Sequence, residues 1–268
     1  MVAMNPIQLS EYISVSMTLL TLTVASIYDL RTREVPDKLW LVYGPIGLLL
    51  TTYRTLLEPQ ALLFTAVSIG VSILLAFGLV LFGLSGGADA KALICLGLAL
   101  PVPPTILNPM LGFLHPLFPV VVFVTAYIAS LSVAVWMLGK NLTLFGKLRS
   151  GIFKGLEREP TWKKCLAFIT GFPTETSRLQ STFYLFPMEK VVENEAGAHR
   201  TFEIYSNADV DREQLLSEFN ESMKKVGSPN IVWVTPGLPL LVFILIGLMI
   251  GLTIGDPLLV GIFLLTAR

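Results

Sequence analysis

Long apolar runs recur along the chain and restrict its fold more than any other feature of the sequence. A membrane-spanning helix needs roughly 20 predominantly apolar residues, and the sequence predicts six such helices. They cover residues 13–28, 39–57, 62–84, 88–101, 117–138 and 236–254. The fourth is short and follows a glycine-rich loop, so it is also compatible with a re-entrant or buried helix. Only 14% of the residues are charged, against about 25% in an average soluble domain, so lipid must form part of the solvent.

The apolar runs leave one long polar stretch, which predicts the domain organisation. Residues 1–139 hold helices one to five, residues 140–235 form a soluble cytoplasmic domain, and residues 236–268 hold the sixth helix and a tail. The predicted fold class is therefore an all-α membrane protein of six transmembrane helices, with a small α+β cytoplasmic domain inserted before the last helix.

Within the polar stretch, short β-rich runs and one charged run predict the secondary structure. The pattern indicates strands, then a helix with an acidic start and a basic end, which complement the helix dipole, and a last strand. The predicted elements are strands at 183–192 and 201–205, a helix at about 209–225 and a strand at 231–234.

The distribution of basic residues predicts the orientation. With six spans, all of the 19 Lys and Arg residues except Arg54 and Arg268 fall on one side. Lys and Arg accumulate in cytoplasmic loops, so residues 31–38, 85–91 and 139–235 are predicted to be cytoplasmic. The third of these segments opens basic and amphipathic, which suits a membrane surface that carries anionic lipid.

Charge and cysteine content exclude two classes of function. The formal net charge is zero, so the totals indicate no basic surface for nucleic acid. Cys95 lies in an apolar run and Cys165 in a charged region, which argues against a disulfide between them. The sequence has no CxxC pair, and His115 and His199 are far apart, so it offers no zinc ligand set.

Two aspartates lie where an apolar helix ends or begins. Asp29 ends the first run and Asp89 begins the fourth, and the predicted topology places both at the cytoplasmic end of a helix. Ionisable residues at membrane depth are costly and tend to be functional. Two carboxylates held close together share one proton. One can then activate a water that attacks a peptide carbonyl, while the other protonates the carbonyl oxygen.

Each aspartate also has a purely structural interpretation. Asp29 could pair with Arg31 or Arg33, and Asp89 could be an acid favoured by the dipole at a helix start. Gly86 and Gly87 would allow a tight turn and the close approach of a substrate backbone, or would serve a loop that needs a positive φ.

Two segments that contain these aspartates resemble the active-site motifs of the type IV prepilin peptidases. They are Asp-Leu-Arg-Thr-Arg-Glu-Val-Pro-Asp at 29–37 and Gly-Gly-Ala-Asp-Ala-Lys-Ala-Leu at 86–93. The closer likeness is to the archaeal prepilin and preflagellin (archaellin) peptidases, which belong to the GxGD aspartyl proteases together with presenilin. The resemblance implies Asp29 and Asp89 as the catalytic residues, with no metal or other cofactor. It also implies an active-site loop of Gly86, Gly87 and Ala88, where Ala88 departs from the strict Gly-x-Gly-Asp motif.

A third segment, Thr-Pro-Gly-Leu-Pro at 235–239, resembles the proline-bearing start of the family's final helix. The resemblance implies Pro236, Gly237, Leu238 and Pro239 as substrate-binding residues, although a helix start with proline in its first turn is the alternative. Many bacterial members carry a zinc domain with two cysteine pairs and methylate the new N-terminus. This chain lacks such cysteines, so cleavage without methylation is expected.

The resemblance implies a multi-pass cell-membrane endopeptidase with its active site facing the cytoplasm. Its partners would be the lipid bilayer and the precursors of type IV pilin-like proteins or archaeal flagellins, from which it removes a short basic leader peptide. A proton-coupled transporter with Asp29 and Asp89 as carriers is an alternative, although both lie at helix ends and no repeated half is visible. A membrane scaffold with structural aspartates and a presenilin-like intramembrane protease are two further alternatives.

Overall fold

The computed structural model describes residues 5–112, 114–148, 151–194, 197–203 and 212–266. These residues form two compact units. Unit 1 is Met1–Ser130 with Pro239–Arg268, and unit 2 is Leu131–Leu238.

Helices dominate the described part of the chain. They are α1 (Pro6–Thr32), α2 (Asp37–Leu57), α3 (Leu62–Leu81), α4 (Gly87–Ala99), α5 (Phe118–Leu148), α6 (Thr161–Thr170), α7 (Thr176–Ser181), α8 (Arg212–Lys224), α9 (Leu240–Thr253) and α10 (Pro257–Thr266). Each of the six predicted apolar runs overlaps one of these helices. The prediction for the sixth was wrong at its start, because the chain is still a β-strand at Pro236 and the helix begins only at Leu240.

Among the residues that the structure describes, three helices are long and apolar enough to cross a membrane. They are α1, α3 with the short 3-10 turn before it, and residues 118–146 of α5. Helices α9 and α10 meet the same test as a pair bent by 59°. Helix α4 has 13 residues, about 20 Å at 1.5 Å per residue, which is shorter than the roughly 30 Å hydrocarbon layer. The chain is therefore a membrane protein, and the count of six spans stays a prediction.

Helix α4 is the buried element of unit 1. It packs against α2 and α3, and also contacts α1 and α9. Small residues allow this close packing: a Cβ on Gly47 of α2 would lie 2.7 Å from the Cβ of Ala99, and one on Gly97 would lie 2.6 Å from Ser72 of α3. Such small residues let helices approach at backbone distance in membrane proteins, and here they fix the last turn of α4 against α2 and α3.

A polar cluster closes the end of unit 1 that contains the first turns of α1. The buried carboxylate of Glu11 accepts hydrogen bonds from the backbone amides of Thr105 and Ile106 at 3.0 and 3.1 Å. Arg54 at the end of α2 donates to the carbonyl oxygen of Ala99 at 2.7 Å. Asp29 lies 18 residues after Glu11 on the same helix, about 27 Å away at 1.5 Å per residue. The two carboxylates therefore lie at opposite ends of a membrane-length helix.

Unit 2 contains the small sheet region. Strand β5 (Ile231–Pro236) pairs antiparallel with β1 (Phe172–Glu175) on one side and β2 (Leu185–Pro187) on the other, while β3 (Glu189–Asn194) and β4 (Gly197–Phe202) form a hairpin. Two apolar clusters, one around Val232 and Phe172 and one around Trp233 and Ala167, fill the core of this unit.

A buried ion pair joins the hairpin to the sheet in unit 2. The Glu189 carboxylate lies 2.6 Å from Nη2 of Arg200, and its other oxygen accepts a hydrogen bond from the backbone amide of Trp233 at 2.6 Å. Burial raises the pKa of the Glu189 carboxyl above its usual value, and the Arg200 guanidinium opposes this rise. Glu189 therefore links the two strands of the hairpin, through Arg200, to strand β5 of the sheet, through the amide of Trp233.

The predicted elements of the polar stretch differ from the observed ones in several places. The strand expected at 183–192 is two strands, β2 and β3, separated at Met188. The strand expected at 201–205 overlaps β4 at residues 201–202, and its residues 204–205, like the expected helix start at Asp209, lie outside the described residues. Helix α6, strand β1 and helix α7 were not predicted.

Candidate active site

Asp29 and Asp89 come together at one end of unit 1. Asp29 lies in the last turn of α1 and Asp89 in the first turn of α4. These two helices contact each other, and α9 contacts both. Asp89 lies within the electrostatic reach of Asp29. The helix packing thus brings together two acids that are 60 positions apart in the sequence.

The surroundings of Asp29 are mostly protein. Its side chain is 13% exposed, and Oδ1 lies 3.6 Å from Nη1 of Arg33. Oδ2 is buried and has no hydrogen-bond partner among the residues that the structure describes. The backbone amide of Leu241, near the start of α9, also faces this carboxyl group. Of the two arginines considered as partners from the sequence, Arg33 is the one that contacts Asp29, and it acts electrostatically on Asp89 as well.

Asp89 has a structural role in addition to its position beside Asp29. Its Oδ2 accepts a hydrogen bond from the backbone amide of Gly86 at 3.3 Å, which satisfies a donor at the start of α4. An acid at the third helical position is typical of a capping box. This bond engages one carboxylate oxygen and orients the group.

The glycine loop leaves space beside Asp89. Gly86 has a φ of −75°, and Gly87 begins the helix. The backbone conformation that favours glycine occurs three residues earlier, at Gly83 with φ 64°. Positive φ is therefore not the reason for glycine at 86 and 87. A Cβ placed on Gly87 would meet nothing within 4 Å, so no described residue crowds this position.

Tyr127 of α5 is a third side chain at this site, and sequence reasoning missed it. It packs against the cluster that contains Ala90 and Leu93 of α4, and its ring centroid lies 4.6 Å from that of Phe123. Its hydroxyl is buried without a hydrogen-bond partner in the described part of the chain, and it lies within the electrostatic reach of Asp89. A lone tyrosine in an apolar run carries no motif, so only the packing of α5 against α4 identifies it.

The predicted substrate-binding segment has a different local structure from the one expected. Pro236 ends strand β5 opposite Leu185, and the backbone amide of Gly237 donates to the carbonyl oxygen of Tyr184 at 2.8 Å. Pro239 is the residue before α9, two positions from Leu241, whose amide faces Asp29. A role in substrate binding for these residues stays a prediction.

Within the described residues, no group of three or more His, Cys, Asp or Glu side chains is placed to hold a metal ion. Cys95 is buried, Cys165 is exposed, and each is a free thiol. The titratable side chains that the structure identifies at this site are those of Asp29, Asp89, Arg33 and Tyr127.

Comparison with known proteins covers both units. The profile of the Type IV leader peptidase family matches residues 16–138, and that of the Archaeal Peptidase A24 C-terminus Type II matches residues 163–257. The chain is 26% identical to a preflagellin peptidase of Methanocaldococcus jannaschii over 91% of its own length and 94% of that protein. It is also 26% identical to a preflagellin peptidase of Methanococcus voltae, over 92% and 97% of the two chains. The two profile matches and these full-length relatives agree: this chain belongs to the type IV leader peptidase family.

Proposed function

We propose that this peptidase is a membrane aspartyl endopeptidase that removes the short basic leader from pilin-like or archaeal flagellin precursors. The pairing of Asp29 and Asp89 at one end of unit 1 is the observation that supports this reaction. The relatives named preflagellin peptidase support the substrate class.

The proposed chemistry is the attack of water on the peptide carbonyl. Two carboxylates that act on each other electrostatically, as Asp29 and Asp89 do, resist ionising together, so in this proposal the pair holds one proton. The ionised carboxylate takes a proton from water as the oxygen attacks, and the protonated one donates to the carbonyl oxygen. As the resulting diol collapses, the carboxyl group that took the proton from water passes it to the nitrogen and the C–N bond breaks, which releases the leader with a new carboxyl terminus and the mature protein with a new amino terminus. Because the pair titrates as a unit, the two roles are assigned to the dyad and not to single residues.

Arg33 and Tyr127 are proposed to position the dyad. Arg33, 3.6 Å from Asp29, stabilises negative charge on the pair by Coulomb attraction. The hydroxyl of Tyr127 has no partner among the described residues and lies within the electrostatic reach of Asp89, so it is the proposed donor to the dyad. A donor to one carboxylate oxygen leaves the proton of the pair in a defined place for transfer.

The proposed location of the site is the cytoplasmic face. The charge asymmetry of the loops favours this orientation, with Arg33 beside Asp29 and Glu11 at the opposite end of α1. A site at this depth fits a substrate whose basic leader is in water and whose following helix is in lipid. Water also reaches a dyad at the membrane surface without a deep channel.

The test is cleavage of a pilin-like or flagellin-like precursor by purified enzyme in lipid nanodiscs, compared with the Asp29→Asn and Asp89→Asn variants. Each variant is expected to lose at least about a hundredfold in rate, because each removes one of the two proton-transfer groups. Product mass identifies the bond that is cut. A wild-type enzyme that cuts none of several such precursors would overturn the substrate proposal.

Asp256→Asn is a matched control. Asp256 is also buried, and it accepts a hydrogen bond from the amide of Leu259 at the start of α10. Its loss should lower stability slightly and leave cleavage intact. Normal cleavage by either dyad variant would instead show that the residue is not catalytic.

A further inference from the structure

Helix α6 of unit 2 presents an apolar face that the rest of its unit does not cover. Trp162, Leu166 and Ile169 are 57%, 38% and 41% exposed, and the exposed Cys165 lies between them. Residues three and four positions apart share one helix face. The opposite face holds the fully buried Ala167. Contiguous exposed apolar surface on a folded unit marks an interaction site.

The two lysines of α6 are engaged with unit 2 and do not border this face as free charges. Lys163 lies 3.2 Å from the carboxylate of Glu159, and Lys164 donates to the carbonyl oxygen of Glu157 at 2.9 Å. The positive charges of these two lysines are therefore paired with groups of unit 2. What remains on the surface of α6 is its apolar face.

Contacts within unit 2 tie α6 to the last turns of α5. Asn141 is fully buried, and its side-chain amide donates to the carbonyl oxygens of Phe168 and Gly171 at 2.8 and 2.6 Å. The rings of Phe145 and Phe168 meet edge to face at 6.5 Å. The position of α6 is thus set by the part of α5 around residue 141.

That part of α5 lies where a membrane-spanning helix leaves the hydrocarbon. The apolar stretch of 29 residues is about 43 Å long, which exceeds the roughly 30 Å hydrocarbon layer. Trp136 is 59% exposed, and exposed tryptophan is typical of the membrane interface. The ammonium of Lys140, one turn later, lies 5.3 Å from the Trp136 ring centroid and 3.4 Å from that of Phe172, so this lysine is held against unit 2. Asn141 therefore ties α6 to the end of the membrane-length stretch of α5.

We propose that α6 is an interfacial helix whose face of Trp162, Leu166 and Ile169 inserts into the lipid leaflet. The exposed apolar face of α6, its tryptophan and its contact with the end of the membrane-length stretch of α5 match a helix that lies in the plane of the membrane interface. Lipid is the occupant that these observations favour, because the face adjoins a membrane-spanning segment. The insertion ties unit 2 to the membrane through a second contact besides the chain itself.

Cys165 offers a direct test, because it is exposed on this face while Cys95 is buried. The full chain carrying Cys95→Ala is labelled at Cys165 with an environment-sensitive nitrobenzoxadiazole dye and placed in nanodiscs. Spin-labelled lipids are expected to quench the dye, and aqueous iodide is expected to leave it largely unquenched. Strong iodide quenching without lipid quenching would overturn the proposal.

Two further variants complete the test. In a Cys95→Ala and Cys165→Ser background, Ser217→Cys places the same dye on α8, where the side chain is exposed, and iodide should quench it. Leu166→Glu should reduce lipid quenching at Cys165 severalfold while unit 2 keeps its thermal transition. Nanodiscs that hold one copy decide between lipid and a second chain. If the dye is protected from iodide only in discs with two copies, the face is a protein interface and the proposal fails.

Discussion

The hydroxyl of Tyr127 on α5 is buried and lies within the electrostatic reach of Asp89 on α4. A buried hydroxyl without a partner costs free energy, on the order of 1–3 kcal/mol. Tyr127 carries this cost at the end of unit 1 that also holds Asp29 and Asp89. We therefore interpret Tyr127 as a positioning residue for the dyad.

Replacing Tyr127 by Phe is expected to lower kcat about tenfold to a hundredfold while KM changes little. A hydrogen bond to a charged group is worth about 1.5–3 kcal/mol, and this one would act on the dyad and not on substrate binding. Steady-state cleavage of a synthetic precursor separates the two constants, and a pH profile measures any change in dyad titration.

Tyr12→Phe is the matched control, because Tyr12 is exposed near the far end of α1 and should leave both constants unchanged. If Tyr127→Phe raised KM at constant kcat, the residue would contact substrate instead. An unchanged rate would remove Tyr127 from the site altogether.

At Gly247, α9 lies directly against the backbone of α5. A Cβ at this position would collide with the carbonyl oxygen of Val122 and lie 2.9 Å from the backbone nitrogen of Ala126. Gly247→Val is therefore expected to force the helices apart and lower the free energy of unfolding by about 1–3 kcal/mol. Because the amide of Leu241 on the same helix faces Asp29, cleavage should fall as well. Thermal unfolding in detergent and the cleavage assay check the two effects.

Gly70→Ala in α3 is the control for this prediction. A Cβ at Gly70 meets nothing within 4 Å, and alanine has the higher helix propensity by about 1 kcal/mol. The variant should be at least as stable as wild type. Equal losses in the free energy of unfolding for Gly247→Val and Gly70→Ala would mean that the contact between α9 and α5 is not what limits stability.

The helices of unit 1 could be predicted because an apolar run of sufficient length has few other solutions in a membrane. The error at the sixth helix has a physical cause. Residues 231–239 are apolar and rich in proline, and a short apolar run does not distinguish a strand from a helix. Here the residues up to Pro236 pair with β1 and β2, and that pairing depends on partners about 50 positions away.

The candidate site could be predicted only in part, for a similar reason. The predicted membrane side and depth place Asp29 and Asp89 in the same layer of the membrane. They do not predict that the two residues lie next to each other. Their proximity depends on where α4 meets α1, and the place of α4 is set by its close packing against α2 at Gly47 and against α3 at Gly97. Tyr127 carries no local signal, because its relation to Asp89 spans 38 positions and arises from helix packing alone.

The ion pair of Glu189 and Arg200 yields a prediction about the stability of unit 2. Removing one partner of a buried pair typically costs about 3–5 kcal/mol, because the remaining charge is uncompensated. Arg200→Met is therefore expected to destabilise the hairpin and β5 by about this amount at a pH of about 8. Hydrogen exchange of the β3 and β5 amides in the full-length protein measures the local free energy of opening.

The pH dependence of this loss has a defined sign. Burial raises the pKa of Glu189 in the folded state, and removing Arg200 leaves that rise unopposed. As the pH falls through this raised pKa, Glu189 binds a proton in the folded state and no longer needs a counter-charge, so the deficit should shrink toward a pH of about 5. Lys190→Met is the matched control on the same hairpin. It breaks the exposed 2.9 Å pair with Glu203, which should cost less than about 1 kcal/mol at either pH. A deficit of Arg200→Met that stays constant over this range would show that the arginine acts through its packing and its bonds to backbone carbonyls, and not through the charge of Glu189.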